Sequence, residues 1–216
     1  MTLRELPADL VPDPRPQPGP EEYSAMQALT RELAFDPEGW TPERLARTGQ
    51  LFDGLAPEWH TRNEPERLLP LRDAQQRGGI PAGGSCLEIG SGIGLQTPSL
   101  LEHFDSVVSM DLSAEMLGRS PQVAGVSLVR ADASRLPVSA SSVGAVALVN
   151  MFLFPSECAR VLRPGGRLIF VSTSGDRTPI YLPPADVVRA LQPMLGPCDA
   201  VTAGAGWGVW TVVTKA

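Results

Sequence analysis

The stretch Cys86-Leu87-Glu88-Ile89-Gly90-Ser91-Gly92-Ile93-Gly94-Leu95-Gln96 decides how this chain is read. An apolar run ends in an acid, and glycines follow at every second position. Glycine tolerates positive φ and lets a ligand approach the backbone without meeting a Cβ. The next segment, LQTPSLLEHF, suits a helix, whose first N–H groups then point back at the loop and favour a carboxylate or phosphate. The pattern is not the dinucleotide fingerprint G-x-G-x-x-G. Leu95 stands where its third glycine belongs, and here the third glycine comes one residue early.

Working outward, the texture of residues 84–216 is regular. SCLEIG, SVVSMD, VSLVRAD, VGAVALVN and RLIFVSTS are short β-branched or apolar runs. Between them lie the helix-compatible LQTPSLLEHF, SAEMLGRS and PSECARVLR, and PPADVVRALQPML follows. Such alternation predicts an open parallel sheet covered by helices. CDAVTAGAG and GVWTVVTKA, joined around Trp207 and Gly208, read as a hairpin. The expected fold is therefore α/β and Rossmann-like: a seven-stranded, mostly parallel sheet with an antiparallel C-terminal edge strand and helices on both faces.

The first 80 residues differ. Residues 1–20 hold Pro7, Pro12, Pro14, Pro16, Pro18 and Pro20, which predicts an extended, solvated tail. Residues 21–80 read as a helical lid with no strand signal. Tyr23, Met26, Leu29 and Leu33 have helical spacing. Thr41 before Pro42 is an N-cap followed by proline at the first helical position. Pro65 opens another helix that ends at Gly78-Gly79, with Pro70 expected to bend or restart it. Residues 81–216 form the expected ligand-binding domain.

The net charge of −6 and the lack of a Lys/Arg cluster argue against a nucleic-acid partner. No apolar run reaches the roughly 20 residues of a membrane span. MTLRELPADL has no apolar signal core, so the expected compartment is cytoplasmic. Cys86, Cys158 and Cys198 have neither disulfide nor metal-ligand spacing and read as small buried apolar residues; no metal site is expected.

Ligands of open parallel sheets bind beyond the carboxyl ends of the strands. Those ends carry Glu88, Asp111, Asp132, Asn150 and Ser172 to Ser174. Asp111 stands 21 positions after Gly90, where a carboxylate can take both hydroxyls of a ribose; the same residue also reads as a cap for the helix SAEML. Asp132 stands a further 21 positions on, where it can accept from an adenine amine while the Ala133 N–H meets a ring nitrogen, or simply shape a turn.

Together these motifs resemble the class I S-adenosylmethionine-dependent methyltransferases, over roughly residues 51–216. The resemblance implies that Glu88, Gly90, Ser91, Gly92 and Gly94 wrap the methionine part of the cofactor. It implies that Asp111 holds the ribose, that Leu112 lies beside the adenine, and that Ala131-Asp132-Ala133 hold the adenine edge. Leu162-Arg163-Pro164-Gly165-Gly166 resembles the family's turn into its fifth strand. LFDGLAPEWHTRNEPERL resembles the lid of small-molecule members related to quinone and menaquinone methyltransferases. There Trp59 either faces the sulfonium or glues the helices to the sheet, and Arg62 pairs with the methionine carboxylate. Asn150 is expected at the cofactor's amino group or the acceptor.

The implied chemistry is methyl transfer to a small-molecule acceptor by in-line displacement, in which a general base matters only if the acceptor loses a proton. His60, Asn150 and Tyr181 are the candidates for that role. Gly144 replaces an acid the family often has early in the fourth strand, and Asn150-Met151-Phe152-Leu153 is not the motif of enzymes that methylate nucleic-acid or protein amides. Two rivals share the sheet: a non-catalytic binder of the same cofactor, and a nicotinamide-dependent oxidoreductase. The missing third glycine and Asp132 count against the second.

Overall fold

The computed structural model describes residues 2–15 and 23–216. Five parallel strands carry the sheet: β3 (Ser85–Ile89), β4 (Ser106–Asp111), β5 (Val126–Arg130), β6 (Val143–Val149) and β7 (Leu162–Ser172). The hairpin β8 (Asp199–Gly206) and β9 (Gly208–Thr214) completes the seven expected strands, and β9 alone runs antiparallel to its neighbours. Two strands precede them, β1 (Thr2–Glu5) and β2 (Asp9–Leu10). The order is β1-β8-β9-β7-β6-β3-β4-β5, with β2 also on β8. Strand order reverses between β3 and β6, so the glycine loop sits at the switch point where such sheets bind ligands.

Side chains alternate across each strand and so build two cores. Leu87, Val146, Leu148, Leu168 and Phe170 face one side. They meet α1 (Ser24–Phe35), α6 (Pro155–Val161) and α7 (Pro184–Leu195) through Leu33, Val161, Val187 and Leu191. Cys86, Ala145, Ala147, Ile169 and Val171 face the other, against α3 (Leu69–Arg77) and α4 (Thr97–Leu101) through Leu71, Ala74 and Leu100. All three cysteines are buried and free.

The N-terminal helices form as their caps dictate. Thr41 accepts the Arg44 N–H and starts α2 (Pro42–Leu55) with Pro42 in its first turn. Pro65 opens a short 3-10 turn, and Pro70 restarts the chain as α3 instead of breaking it. A longer 3-10 turn, Ala56–Arg62, joins α2 to this region. The short α5 (Ala114–Leu117) is capped by Ser113, whose hydroxyl donates to Asp53 and so ties α2 to the sheet.

The N-terminus departs from the expected tail. Thr2–Glu5 pair in parallel with Asp199–Thr202, and Asp9–Leu10 with Ala205–Gly206. Pro7 falls between the two strands and Pro12 after them, so neither removes a ladder hydrogen bond. Beyond them Arg15 stacks on Trp207 at 4.2 Å, and Asp13 pairs with Arg177 at 2.6 Å. The expected tail positions Pro16, Pro18 and Pro20 lie outside the described residues. Among the described residues no helix is long and apolar enough to cross a membrane.

Candidate functional site

Beyond the strand ends lies a cavity that is partly open to solvent. Its floor is the glycine loop. Gly90, Gly92 and Gly94 all have positive φ, which only glycine adopts freely. The Gly90 and Ser91 N–H groups both donate to the Met110 carbonyl, at 2.8 and 3.0 Å, folding the loop back over β4. A Cβ on Gly90 would lie 2.5 Å from Met151 Sδ, and one on Gly92 3.2 Å from Trp59 Nε1. Gly94 is not in the cavity wall; a Cβ there would meet Ser120 Oγ at 2.7 Å, so its smallness serves packing.

Three acids face the cavity from three strand ends. Glu88, 2% exposed, accepts from Thr97 at 2.6 Å and Ser109 at 2.7 Å, both on one oxygen. Burial pushes its pKa up to about 7 despite those two hydroxyls. Asp111 accepts the Gly92 N–H on one oxygen and the Ser113 N–H on the other, each at 2.8 Å. Burial raises its pKa as well. It is thus a latch on the loop, while the cap of α5 proper is Ser113. Asp132 accepts from the Ser134 N–H and hydroxyl and from the Trp40 indole at 3.1 Å. Leu112 and Ala133 line the wall beside these acids.

The segment from α2 to Arg62 supplies another part of the wall. The 3-10 turn Ala56–Arg62 repeats every three residues, which sets Trp59 and Arg62 on one side. Arg62 stacks over Trp59 at 4.1 Å, and Trp59 meets Phe52 edge-on at 5.7 Å. Trp40 packs on Phe152 at 5.8 Å and Phe154 at 5.5 Å. Opposite, Asn150 adopts φ 51 and closes a ring with Thr173: its amide donates to the Thr173 hydroxyl, and the Thr173 N–H donates to its carbonyl.

Two candidates for a base fall outside the cavity wall. His60 is exposed, with Nδ1 turned to the Pro57 carbonyl at 3.1 Å, because the three-residue period carries it off the Trp59–Arg62 side. Tyr181 is half-buried, one residue past the lining Ile180, and burial raises its pKa. The wall also holds residues the sequence reading did not single out: Trp40, Thr48, Phe52, Arg67 and Gln96. Only Trp40 carried a usable signal, an aromatic directly before an N-cap, where a staple residue packs.

The floor suits an aminoacyl nucleoside with a positive amine. It offers a buried acid and a glycine backbone on which a Cβ would meet Met151 or Trp59, and among the described residues the acid lacks a counter-charge and the Ser91 hydroxyl a hydrogen-bond partner. Comparisons with known proteins agree. Residues 87–170 match a family model described as a methyltransferase domain. The malonyl-[acyl-carrier protein] O-methyltransferase of Methylococcus capsulatus is 34% identical over 45% of this chain and 40% of its own. The ubiquinone/menaquinone biosynthesis C-methyltransferase UbiE of Hahella chejuensis is 28% identical over 71% of each chain. The chain thus spans well under half of the first relative. A solved S-adenosylmethionine-dependent methyltransferase from Aquifex aeolicus shares the fold at 16% identity, TM-score 0.59, over 74% of this chain and 97% of its own. By its matched domain, its sheet order and the construction of this loop, the chain is similar to the class I S-adenosylmethionine-dependent methyltransferases.

Proposed function

We propose that the protein transfers the methyl group of S-adenosylmethionine to a small-molecule acceptor. One observation carries the reading: the glycine loop and three strand-end acids face a single cavity that continues into a recess walled by Trp40, Phe152 and Phe154. In this reading Asp111 holds the ribose, Leu112 and Ala133 flank the adenine, and Asp132 takes its amine. Glu88 faces the methionine ammonium, and Arg62, braced on Trp59, takes the carboxylate. When bound, the cofactor supplies a methyl group already activated on a sulfonium. The chain's own work is then to align the acceptor and shut out water, which the lid helices do from above. Calorimetric titration tests this: S-adenosylmethionine and S-adenosylhomocysteine bind at micromolar concentrations and NAD does not. If neither sulfur ligand binds, the reading fails.

Two smaller effects follow. Glu88 titrates near 7 in the free protein, above its unfolded value, so its ionisation costs the free protein stability as pH rises through 7. A ligand ammonium offsets that cost only when Glu88 is ionised. Affinity for S-adenosylhomocysteine should therefore rise by up to about 10-fold from pH 6 to pH 8, and Glu88→Gln should flatten the profile. Trp40→Phe removes the indole N–H from Asp132 but keeps the aromatic wall. The expected result is a change in affinity of about 10-fold, the scale of one hydrogen bond to a charged group, with the melting temperature nearly unchanged.

A further inference from the structure

The cofactor roles leave one corner of the cavity unused, where β6 and β7 end side by side. Thr173 lines it and is 1% exposed. Its hydroxyl oxygen accepts from Asn150 Nδ2 at 2.9 Å and from Arg67 Nη1 at 3.3 Å. Both lone pairs are spent, so the hydroxyl has only its proton to offer, and no described residue takes it. Arg67 is steadied by Glu64 on Nε at 2.5 Å and lines the same wall. The Asn150 side-chain carbonyl takes the Thr173 N–H at 2.8 Å, which commits one of its two lone pairs. The corner therefore offers a hydroxyl proton and a guanidinium, beside the Gln96 side-chain carbonyl, which has no hydrogen-bond partner among the described residues.

A second cation stands nearby. Arg62 is held over Trp59 and makes no ion pair among the described residues. In the proposed arrangement the cofactor's one carboxylate goes to Arg62, and Arg67, paired on Nε with Glu64, keeps its terminal nitrogens for a second ligand. Among the described lining residues there is no His, Lys, Cys or Tyr, and the acids Glu88, Asp111 and Asp132 sit on the cofactor side. No group on the wall is placed to take a proton from an acceptor in this corner.

Building on the methyltransferase reading, we infer that the acceptor enters as an organic oxyanion, a carboxylate or an acidic phenol or enol, received by the Thr173 hydroxyl and the Arg67 guanidinium. Methyl transfer to it balances without a base. The oxyanion's lone pair forms the new O–C bond, the C–S electron pair returns to sulfur, and the negative and positive charges cancel. A neutral amide of the same shape would bring no charge to the Thr173 hydroxyl or to the Arg67 guanidinium, which would keep only its pair with Glu64, and a site that offers ionic hydrogen bonds discriminates against such a ligand.

The test uses protein saturated with S-adenosylhomocysteine, titrated calorimetrically with benzoate, 4-nitrophenolate and benzamide. At least one anion should bind, with benzamide about 10-fold weaker or more. Thr173→Val and Arg67→Met should each weaken the anion about 10-fold and leave S-adenosylhomocysteine affinity within about 2-fold, which also shows that the variants fold. The inference is overturned if benzamide binds as well as the anions, if neither anion binds, or if neither variant weakens the anion. It is also overturned if Arg67→Met loses S-adenosylhomocysteine by the same factor, since Arg67 then holds the cofactor's own carboxylate. Failure of the unmodified protein to bind S-adenosylhomocysteine is a separate result, and sinks the methyltransferase reading itself.

Discussion

Asp111→Ala should weaken S-adenosylhomocysteine binding about 100-fold in a calorimetric titration, from the loss of charge-assisted hydrogen bonds worth roughly 1.5–3 kcal/mol each. The carboxylate has two duties. It already holds the Gly92 N–H and the Ser113 N–H at 2.8 Å each, and its remaining lone pairs face the cavity. Alanine thus removes the proposed ribose anchor and unlatches the glycine loop together. Because the carboxylate is largely screened from water, solvent does not restore those bonds. Asp111→Asn keeps one carbonyl acceptor and should fall between the two. Thermal unfolding should move little for either variant, since Ser113 still caps α5. Equal affinity of Asp111→Ala and the unmodified protein would place the ribose elsewhere.

Gly90→Val should lose measurable binding altogether and also destabilise the fold. Gly90 has φ +74, and a β-branched residue there is a steric outlier. A Cβ would lie 2.5 Å from Met151 Sδ and 2.9 Å from its Cγ, so Met151 has to leave the strand end that carries Asn150. Backbone strain of about 1–3 kcal/mol corresponds to roughly 5 °C in melting temperature for a chain of this size. Gly92→Val is the useful contrast. Its φ of 57 brings the same backbone strain, but its nearest neighbour is the Trp59 indole at 3.2 Å and not a sulfur at 2.5 Å, so binding should fall with less loss of stability. A Gly90→Val protein that melts and binds normally would mean that the ligand never touches this loop.

The parallel sheet was legible because strands buried on both faces need apolar runs, and Leu87, Val146 or Phe170 leave that trace directly. Thr41 and Pro70 were legible because capping and ring geometry are local. β1 and β2 were not. Their side chains are mostly exposed, and they join the sheet only through backbone groups offered by the outer edge of β8, so no periodicity betrays them. In the site, Glu88, Asp111 and Asp132 are marked by position at strand ends. Arg67 and Thr173 meet across 106 residues of chain, and nothing local to either foretells it. His60 and Tyr181 drew notice for their chemistry alone, yet the 3-10 turn and the chain past Ile180 decide which side chains reach the cavity.

The pairing of Thr2 with Asp199 also bears on how the chain is made. During synthesis β1 and β2 leave the ribosome before every other strand described here, yet their partner β8 comes close to last. Until then they have no ladder to join, and once β8 appears its outer edge is open to any passing strand. Two short strands already present on the same molecule reach that edge at a high effective concentration and cap it. A bulky fusion at residue 1 would compete with this step, so a tagged protein should aggregate more during expression when the tag is N-terminal than when it is C-terminal.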